Sequence, residues 1–136
     1  RALVGNAGVL MTRVLYVKKS LKMNWAIVDA GMNDFMRTAL YGARHRIVNL
    51  SGDRGRPMKY MIGGPICESG DVFGEYELPR LKKGDLLGIL DVGAYGSSMS
   101  NNYNGQLRPS TVVKESGSIS LAERRETLDD MFERQQ

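Results

Sequence analysis

Short apolar runs, separated by glycine, proline and small polar residues, make up most of the chain. The runs are rich in Val, Ile, Leu and Tyr, which is typical of strands, and the run at 58–63 alternates in polarity. They predict strands at residues 7–18, 25–29, 45–50, 58–63, 86–91, 111–114 and 118–122. Because strands and helices do not alternate, the pattern does not favour a parallel sheet. We expect a mainly β fold: an antiparallel Greek-key β-sandwich or barrel with two short helices.

Two segments carry the signals that begin short helices. The Asn-Asp pair at 33–34 offers a capping side chain followed by a negative charge, and it predicts a helix over about 34–41. The helix is expected to end there because Gly42 follows. Thr127, with Asp130 three residues later, resembles a capping box and predicts a last helix over 128–134.

Length and composition are those of one ordinary globular domain. The chain has 136 residues, of which 42% are apolar and 25% charged, and we expect residues 1–136 to form a single domain. Sixteen glycines favour tight turns over long helices. The single cysteine, Cys67, excludes an internal disulfide framework and a multi-cysteine zinc site. It suits a reducing compartment, and we expect a cytoplasmic protein.

The charge pattern indicates a solvated surface. The formal net charge is +4, but the basic residues are scattered as short pairs, and no basic run is interleaved with aromatic residues. No apolar stretch is long enough for a transmembrane helix. We therefore expect neither a nucleic-acid nor a membrane partner. The chain begins at Arg1 without an initiating Met or a signal segment, so we expect a fragment, a processed piece or one part of a split protein.

The first segment that does not look like scaffold is MNDFMRTALYG at 32–42. Arg37 and Tyr41 are four residues apart and share one face of the predicted helix. A guanidinium fork with a phenol is a good receptor for a carboxylate. On spacing alone, however, a surface arginine that packs over a tyrosine is the better interpretation.

The second segment is the loop GPICESGD at 64–71. Its cysteine, Cys67, stands beside the acids Glu68 and Asp71, and residues 66–73 show too little periodicity for an ordinary strand. A thiol can donate a proton, and negative neighbours disfavour the thiolate. The alternative is an inert buried cysteine, and the chemistry alone does not decide between the two.

The third segment, GAYGSSMSNNYNG at 93–105, follows a predicted buried strand. Two glycines flank Tyr95, which allows a close approach to a flat cofactor or its phosphate, although a Gly-x-x-Gly pattern is a weak signal. The only histidine, His45, stands between two arginines. We interpret it as a structural or surface residue rather than a general base.

Taken together, the three segments resemble a known family. In order and spacing, DAGMNDFMRTALYG, GPICESGDVF and GDLLGILDVGAYGSSMSNNYN are similar to the C-terminal β-domain of the diaminopimelate decarboxylases. These are pyridoxal-phosphate enzymes of the alanine-racemase-like group, fold type III. The resemblance runs from Arg1 to the RRET segment at 124–127.

The resemblance implies a reaction, a cofactor and partners. Such enzymes convert meso-2,6-diaminopimelate to L-lysine and CO2 in lysine biosynthesis. An N-terminal (β/α)8 barrel, which this sequence does not contain, holds pyridoxal 5′-phosphate on a lysine. The functional unit is a head-to-tail homodimer with its sites at the subunit interface. We accordingly expect the isolated chain to be inactive without the barrel domain.

The resemblance also assigns roles to three residues near the reacting atoms. Cys67 is similar to the family's proton donor, which acts after CO2 leaves and reaches into the partner subunit's site. Glu68 is similar to the residue that receives the substrate's distal ammonium group. Tyr95 is similar to the tyrosine that touches both cofactor and substrate.

Three further residues resemble the receptor for the substrate's second carboxylate. Arg37 and Tyr41 match the family's arginine and tyrosine at this site. Arg1 matches the arginine that ends the family's Glu-Pro-Gly-Arg motif, although only the residues that follow the motif are present here. Two arginines would supply the buried charge that distinguishes diaminopimelate from lysine.

The chain departs from the family pattern at three positions, and two other interpretations remain open. Thr38 replaces the usual proline, Arg44 stands where an aromatic residue is common, and Asn101 replaces a serine. The first alternative is the β-domain of a related ornithine, arginine or lysine decarboxylase. The second is a β-domain that binds or assembles without catalysis.

Overall fold

The structure is a computed structural model, which describes residues 1–52, 55–133 and 135. The chain folds into two compact units, Arg1–Ser100 and Asn101–Gln136. The expectation that residues 1–136 form one domain stays a prediction. Within the described residues, no helix is both long and apolar enough to cross a membrane.

Strands dominate both units. In the described residues the strands are β1 (Val9–Lys18), β2 (Asn24–Val28), β3 (Ile47–Asn49), β4 (Met58–Gly63), β5 (Val72–Leu78), β6 (Leu86–Leu90), β7 (Thr111–Glu115) and β8 (Ser118–Glu123). The helices are α1 (Arg37–Tyr41) and α2 (Leu128–Phe132). The predicted mainly β class with two short helices is confirmed.

The first unit is a six-stranded sheet in the order β3-β6-β1-β2-β4-β5. The sheet curls until it is nearly barrel-shaped, and its two edge strands, β3 and β5, approach each other. All neighbouring pairs are antiparallel except β2 and β4, which run parallel with Asn24 opposite Tyr60. The parallel pair was not predicted. It arises because the chain leaves β2, passes through α1 and β3, and returns beside β2, which is a crossover connection.

Strand β5 is the element that the sequence pattern missed. Its buried side chains are Phe73, Tyr76 and Leu78, which do not alternate regularly. The register against β4 shifts between Val72 and Gly74, and Gly74 has a φ of 119°. This bulge places an extra residue in the strand and breaks the period of two by which strands are recognised.

The core lies inside the curled sheet. Phe35 and Tyr60 are among its largest fully buried side chains. The Tyr60 hydroxyl accepts a hydrogen bond from the Leu81 backbone N–H at 3.1 Å, so this buried polar atom has a partner. The buried apolar cluster is Val14, Ala26, Val28, Ala30, Phe35, Ile47, Tyr60, Ile62, Phe73, Tyr76, Leu78, Leu81, Leu87 and Ile89.

Helix α1 begins three residues later than the pattern predicted. Asp34 does not lie in the first turn of the helix. Its carboxylate accepts a hydrogen bond from the Gly31 N–H at 2.9 Å and closes a turn before the helix. The helix itself runs from Arg37 to Tyr41, and Gly42 ends it with a left-handed φ of 61°. Gly42 therefore has the role that was predicted for it.

The second unit consists of the β7–β8 hairpin and helix α2. The turn between the strands uses Ser116 and Gly117, both with positive φ. The capping box is confirmed. Thr127 accepts a hydrogen bond from the Asp130 N–H, and the Asp130 carboxylate accepts one from the Thr127 N–H. The predicted end of the helix, at residue 134, lies outside the described residues.

Candidate active site

The segment that leads into α1 is fixed to β1 by a hydrogen-bonded carboxylate. Asp29 accepts a hydrogen bond from the Thr12 hydroxyl at 2.6 Å and one from the Arg13 N–H at 2.7 Å. The Thr12 oxygen in turn accepts the Ala30 N–H at 2.9 Å. Thr12 and Ala30 are buried, so the bond between them is shielded from water and fixes the start of the segment to β1.

Three of the predicted site residues meet at Arg37. The guanidinium carbon of Arg37 lies 5.5 Å from the centre of the Tyr41 ring and 5.4 Å from the centre of the Tyr95 ring. Both distances are within the range of a cation–π contact. The contact with Tyr41 is the helical pair that the spacing predicted. The contact with Tyr95 joins the first and third motifs, which are far apart in sequence.

The loop that carries Tyr95 requires its glycines. A Cβ atom added to Gly93 would lie 2.0 Å from the Val4 carbonyl oxygen, and one added to Gly96 would lie 2.5 Å from the Val92 carbonyl oxygen. Tyr95 itself has a φ of 65°, in the left-handed region that non-glycine residues seldom adopt. A strained residue between two obligatory glycines indicates that this loop is shaped to present one side chain.

A cavity of about 340 Å³ opens beside Arg37. It brings Arg1 together with Arg37, as expected for two residues that hold one anionic group. Its other charged side chains include Arg44 and Asp91, so the positive charges outnumber the negative ones. The cavity is lined by Arg1, Gly5, Asn6, Arg37, Ala43, Arg44, His45, Asp91 and Ala94.

Arg44, one of the departures from the family pattern, is tied to β5. Its Nη2 donates a hydrogen bond to the Glu75 carbonyl at 3.1 Å, and its guanidinium carbon lies 5.5 Å from the centre of the Tyr76 ring. Burial raises the pKa of Tyr76, while the charge of Arg44 and a hydrogen bond to the His45 carbonyl act in the opposite direction. Arg44 therefore adds positive charge to the cavity wall in a fixed position.

His45 has the surroundings of a structural residue. Its Nδ1 lies 3.0 Å from the Leu90 carbonyl oxygen, and its ring stands edge-on to Phe35 at a centroid distance of 4.6 Å. The carbonyl of His45 accepts a hydrogen bond from the Tyr76 hydroxyl at 2.6 Å. These contacts support the interpretation that His45 packs against the core, although it also lines the cavity.

Cys67 and Glu68 lie in an exposed loop next to α1. The thiol is free and exposed, unlike the inert buried cysteine that was the alternative. The loop contacts the helix side, since a Cβ atom added to Gly70 would lie 3.8 Å from the Ala39 Cβ. Cys67 and Glu68 do not line the cavity of Arg1 and Arg37. The predicted proton donor therefore lies outside the cavity that Arg1 and Arg37 line, as do Tyr41 and Tyr95.

Asp71 organises this loop, a role that sequence reasoning did not assign to it. Its buried carboxylate accepts hydrogen bonds from the Met32 N–H at 2.6 Å and from the Ile66 N–H at 2.7 Å. Desolvation by burial raises the pKa of Asp71, and these two bonds act in the opposite direction. The sequence placed Asp71 among the charges near Cys67, but its carboxylate is directed at the backbone of two segments.

The close fit around Asp71 gives a first prediction. A Cβ atom added to Gly64 would lie 2.3 Å from an Asp71 carboxylate oxygen, so we expect Gly64→Ala to lower the free energy of unfolding by about 1–3 kcal/mol. Gly70→Ala is the matched control, because its added Cβ meets only an ordinary contact at 3.8 Å. Urea denaturation measures both variants. Equal stability of the two would contradict the packing described here.

Comparison with known proteins gives a family for the first unit. A family model described as the C-terminal sheet domain of pyridoxal-dependent decarboxylases matches residues 3–93. The matched range includes Arg37, Tyr41, Cys67 and Glu68. Arg1 and Tyr95 lie just outside it.

The similar proteins are mostly diaminopimelate decarboxylases. The enzyme from Neisseria meningitidis serogroup A is 46% identical over 132 residues, which is 97% of this chain and 32% of the relative. A structure of the M. jannaschii enzyme superposes with a TM-score of 0.95 at 42% identity, over 99% of this chain and 31% of the other. A second structure of that enzyme, in complex with L-lysine, gives a TM-score of 0.92 at 43% identity over 96% of this chain and 30% of the other.

A lysine/ornithine decarboxylase from Vibrio vulnificus, complexed with cadaverine, is more distant. It superposes with a TM-score of 0.71 at 25% identity over 78% of this chain and 29% of the other. In all these cases the chain spans about a third of the relative's length.

Proposed function

Because the chain belongs to the pyridoxal-dependent decarboxylases through their C-terminal sheet domain, we propose that it forms the substrate-recognition and proton-donor half of a diaminopimelate decarboxylase. The reaction is the conversion of meso-2,6-diaminopimelate to L-lysine and CO2, a step of lysine biosynthesis. The observation that carries the proposal is the pair of arginines, Arg1 and Arg37, on one cavity. The names of the similar proteins support it.

Arg37, Tyr41 and Arg1 form the receptor for the distal carboxylate. A guanidinium can donate two parallel hydrogen bonds to a carboxylate, and a phenol can donate a third. Arg37 is already held between Tyr41 and Tyr95, so little side-chain freedom is lost when it binds an anion. Lysine lacks this second carboxylate and therefore leaves the receptor without its partner.

The residues around Tyr95 fit the edge of a flat, anionic cofactor such as pyridoxal 5′-phosphate. The ring of Tyr95 is about half exposed and is presented on a strained loop between two obligatory glycines. The adjoining cavity carries an excess of positive charge. Bound there, the cofactor would supply an electron sink for the pair of electrons left on the substrate's Cα when CO2 departs. Tyr95 would orient cofactor and substrate by contact with both.

Cys67 donates the proton that completes the reaction. The bond from Cα to the carboxylate breaks, CO2 leaves without the bonding electrons, and a new C–H bond forms with the proton of the thiol. The thiolate then regains a proton from solvent. Glu68, next in the chain, receives the distal ammonium group of the substrate. The loop is exposed, which suits a contribution to a second site, that of a partner subunit.

The assembly follows from this division of roles. We propose a cytoplasmic homodimer in which each barrel domain holds the cofactor on its lysine and each sheet domain contributes to two sites. The barrel domain of the same enzyme is then the principal partner of this chain. Without a barrel lysine, the isolated chain is expected neither to bind the cofactor covalently nor to release CO2.

Release of CO2 by the complete enzyme tests the proposal. Diaminopimelate, lysine, ornithine and arginine are each supplied with a labelled carboxylate, and kcat/KM is measured from the labelled CO2. A receptor built for a carboxylate is expected to favour diaminopimelate by about 10⁴-fold or more. A preference for ornithine, arginine or lysine would identify one of the related decarboxylases instead. No release from any of the four would favour a domain that binds or assembles without catalysis.

A further inference from the structure

Asp71 lies where two functional segments meet. Its side chain is only 3% exposed, although it follows the exposed loop of Cys67 and Glu68 directly. A carboxylate that is removed from water is costly unless it is hydrogen-bonded. The partners of Asp71 therefore indicate what the residue stabilises.

The carboxylate joins both segments through their backbones. One oxygen, Oδ1, accepts the Met32 N–H at 2.6 Å, in the turn that precedes α1. The other, Oδ2, accepts the Ile66 N–H at 2.7 Å, one residue before Cys67. The backbone carbonyl of Asp71 accepts the Gly64 N–H at 2.9 Å, which closes the base of the loop.

The chain is shaped to admit this carboxylate on both sides. A Cβ atom added to Gly64 would overlap the Asp71 side chain, and one added to Gly31 would lie 3.2 Å from Asp71 Oδ1. Within the loop, the Asp71 N–H donates to the Glu68 carbonyl at 3.1 Å, and the Glu68 N–H donates to the Ile66 carbonyl at 2.8 Å. One buried side chain therefore hydrogen-bonds the loop to the turn before α1.

We propose that Asp71 is the positioning residue for the Cys67 loop, holding the proton donor at the place where it acts by tying it to the turn before α1. This inference rests on the proposed role of Cys67 as proton donor. Asp71 does not touch the reacting atoms. Each oxygen of its carboxylate accepts one backbone N–H, that of Met32 in the turn and that of Ile66 in the loop. The rigid carboxyl group thereby holds the two segments at a fixed separation.

Asp71→Asn tests the hydrogen bonds of Asp71 without a change in the size of the side chain. Asp71→Asn keeps the size of the side chain but replaces one acceptor oxygen with an NH2 group, which would face a backbone N–H. One of the two ties is then lost. A displacement of about 1 Å at a reacting group can cost about 10²-fold in rate, so we expect kcat to fall by about 10- to 100-fold. Because the loop also carries Glu68, the proposed receptor for the distal ammonium group, KM for diaminopimelate is expected to rise as well.

The solvent deuterium isotope effect on kcat distinguishes a positioning residue from one that only stabilises the fold. If the donor is displaced, proton transfer becomes slower relative to the other steps, and the isotope effect is expected to rise in Asp71→Asn. The matched control is Asp85→Asn. Asp85 is also buried, at 2% exposure, and its carboxylate accepts the Lys82 N–H at 2.9 Å in a turn before β6. Asp85→Asn is expected to lower the free energy of unfolding without changing kcat or the isotope effect.

A double-mutant cycle in the complete enzyme is the decisive experiment. If Asp71 acts through Cys67, the double variant Cys67→Ala with Asp71→Asn is expected to turn over within about threefold of Cys67→Ala alone. If the two losses multiply instead, Asp71 acts independently and the inference is overturned. If Cys67→Ala is slow but Asp71→Asn has normal turnover, the inference alone fails. If Cys67→Ala itself turns over normally, the proposed proton donor is wrong and the inference fails with it.

Discussion

In the complete enzyme, Cys67→Ala is expected to lower kcat by about 10²- to 10⁴-fold, which is the usual contribution of a positioned proton donor. The KM for diaminopimelate is expected to stay close to that of the unmodified enzyme. The thiol donates its proton only after CO2 has left, so it stabilises a transition state more than it stabilises bound substrate. Steady-state kinetics with diaminopimelate measures both quantities.

The neighbour Ser69 supplies the matched control for this prediction. It lies in the same exposed loop and carries a hydroxyl that has no role in the proposed chemistry. Ser69→Ala is therefore expected to leave kcat within a few-fold of the unmodified enzyme. A Cys67→Ala variant that raises KM while kcat is unchanged would show that the cysteine binds substrate and does not donate a proton.

Arg37→Ala is expected to weaken diaminopimelate far more than lysine. Removal of one partner from a buried, charged hydrogen-bonded pair costs about 2–5 kcal/mol, which corresponds to about 30- to 5,000-fold in affinity. Lysine has no second carboxylate, so it loses none of this interaction. The measurement is the Kd of each ligand for the complete enzyme.

Two further variants serve as controls for this prediction. Arg37→Lys keeps the positive charge but loses the planar fork, and we expect it to recover only part of the affinity for diaminopimelate. Arg46→Ala removes an exposed arginine that does not line the cavity, and we expect both ligands to bind normally. Equal weakening of diaminopimelate and lysine by Arg37→Ala would mean that Arg37 is not the distal-carboxylate receptor.

The sequence pattern predicted the fold where local signals are strong. Strand β4 was predicted with its observed bounds, and Gly42 and the Thr127–Asp130 capping box act as expected. Strand β5 was missed because the bulge at Gly74 disrupts the alternation on which the prediction depends. The parallel pairing of β2 with β4 depends on the path of the chain between them, which no local pattern encodes.

The sequence predicted which residues belong to the candidate site, but it did not predict how the fold arranges them. The pairing of Arg37 with Tyr41 follows from helical spacing, whereas the contact of Arg37 with Tyr95 depends on how the sheet curls. Asp71 illustrates a second limit. Next to Cys67 in the sequence it reads as a nearby negative charge, but burial and two backbone donors make it the anchor of the loop. Its one sequence signal was Gly64, which leaves room for its carboxylate.

The most direct test of the account is the activity of a mixed dimer. One subunit carries Cys67→Ala, and the other lacks the barrel lysine that holds the cofactor. If Cys67 serves the partner's site, one site of this dimer has both groups and the other has neither, so about half of the normal activity is predicted. An assembled mixed dimer with no activity would show that the cysteine works in its own subunit's site, and it would contradict the division of roles proposed here.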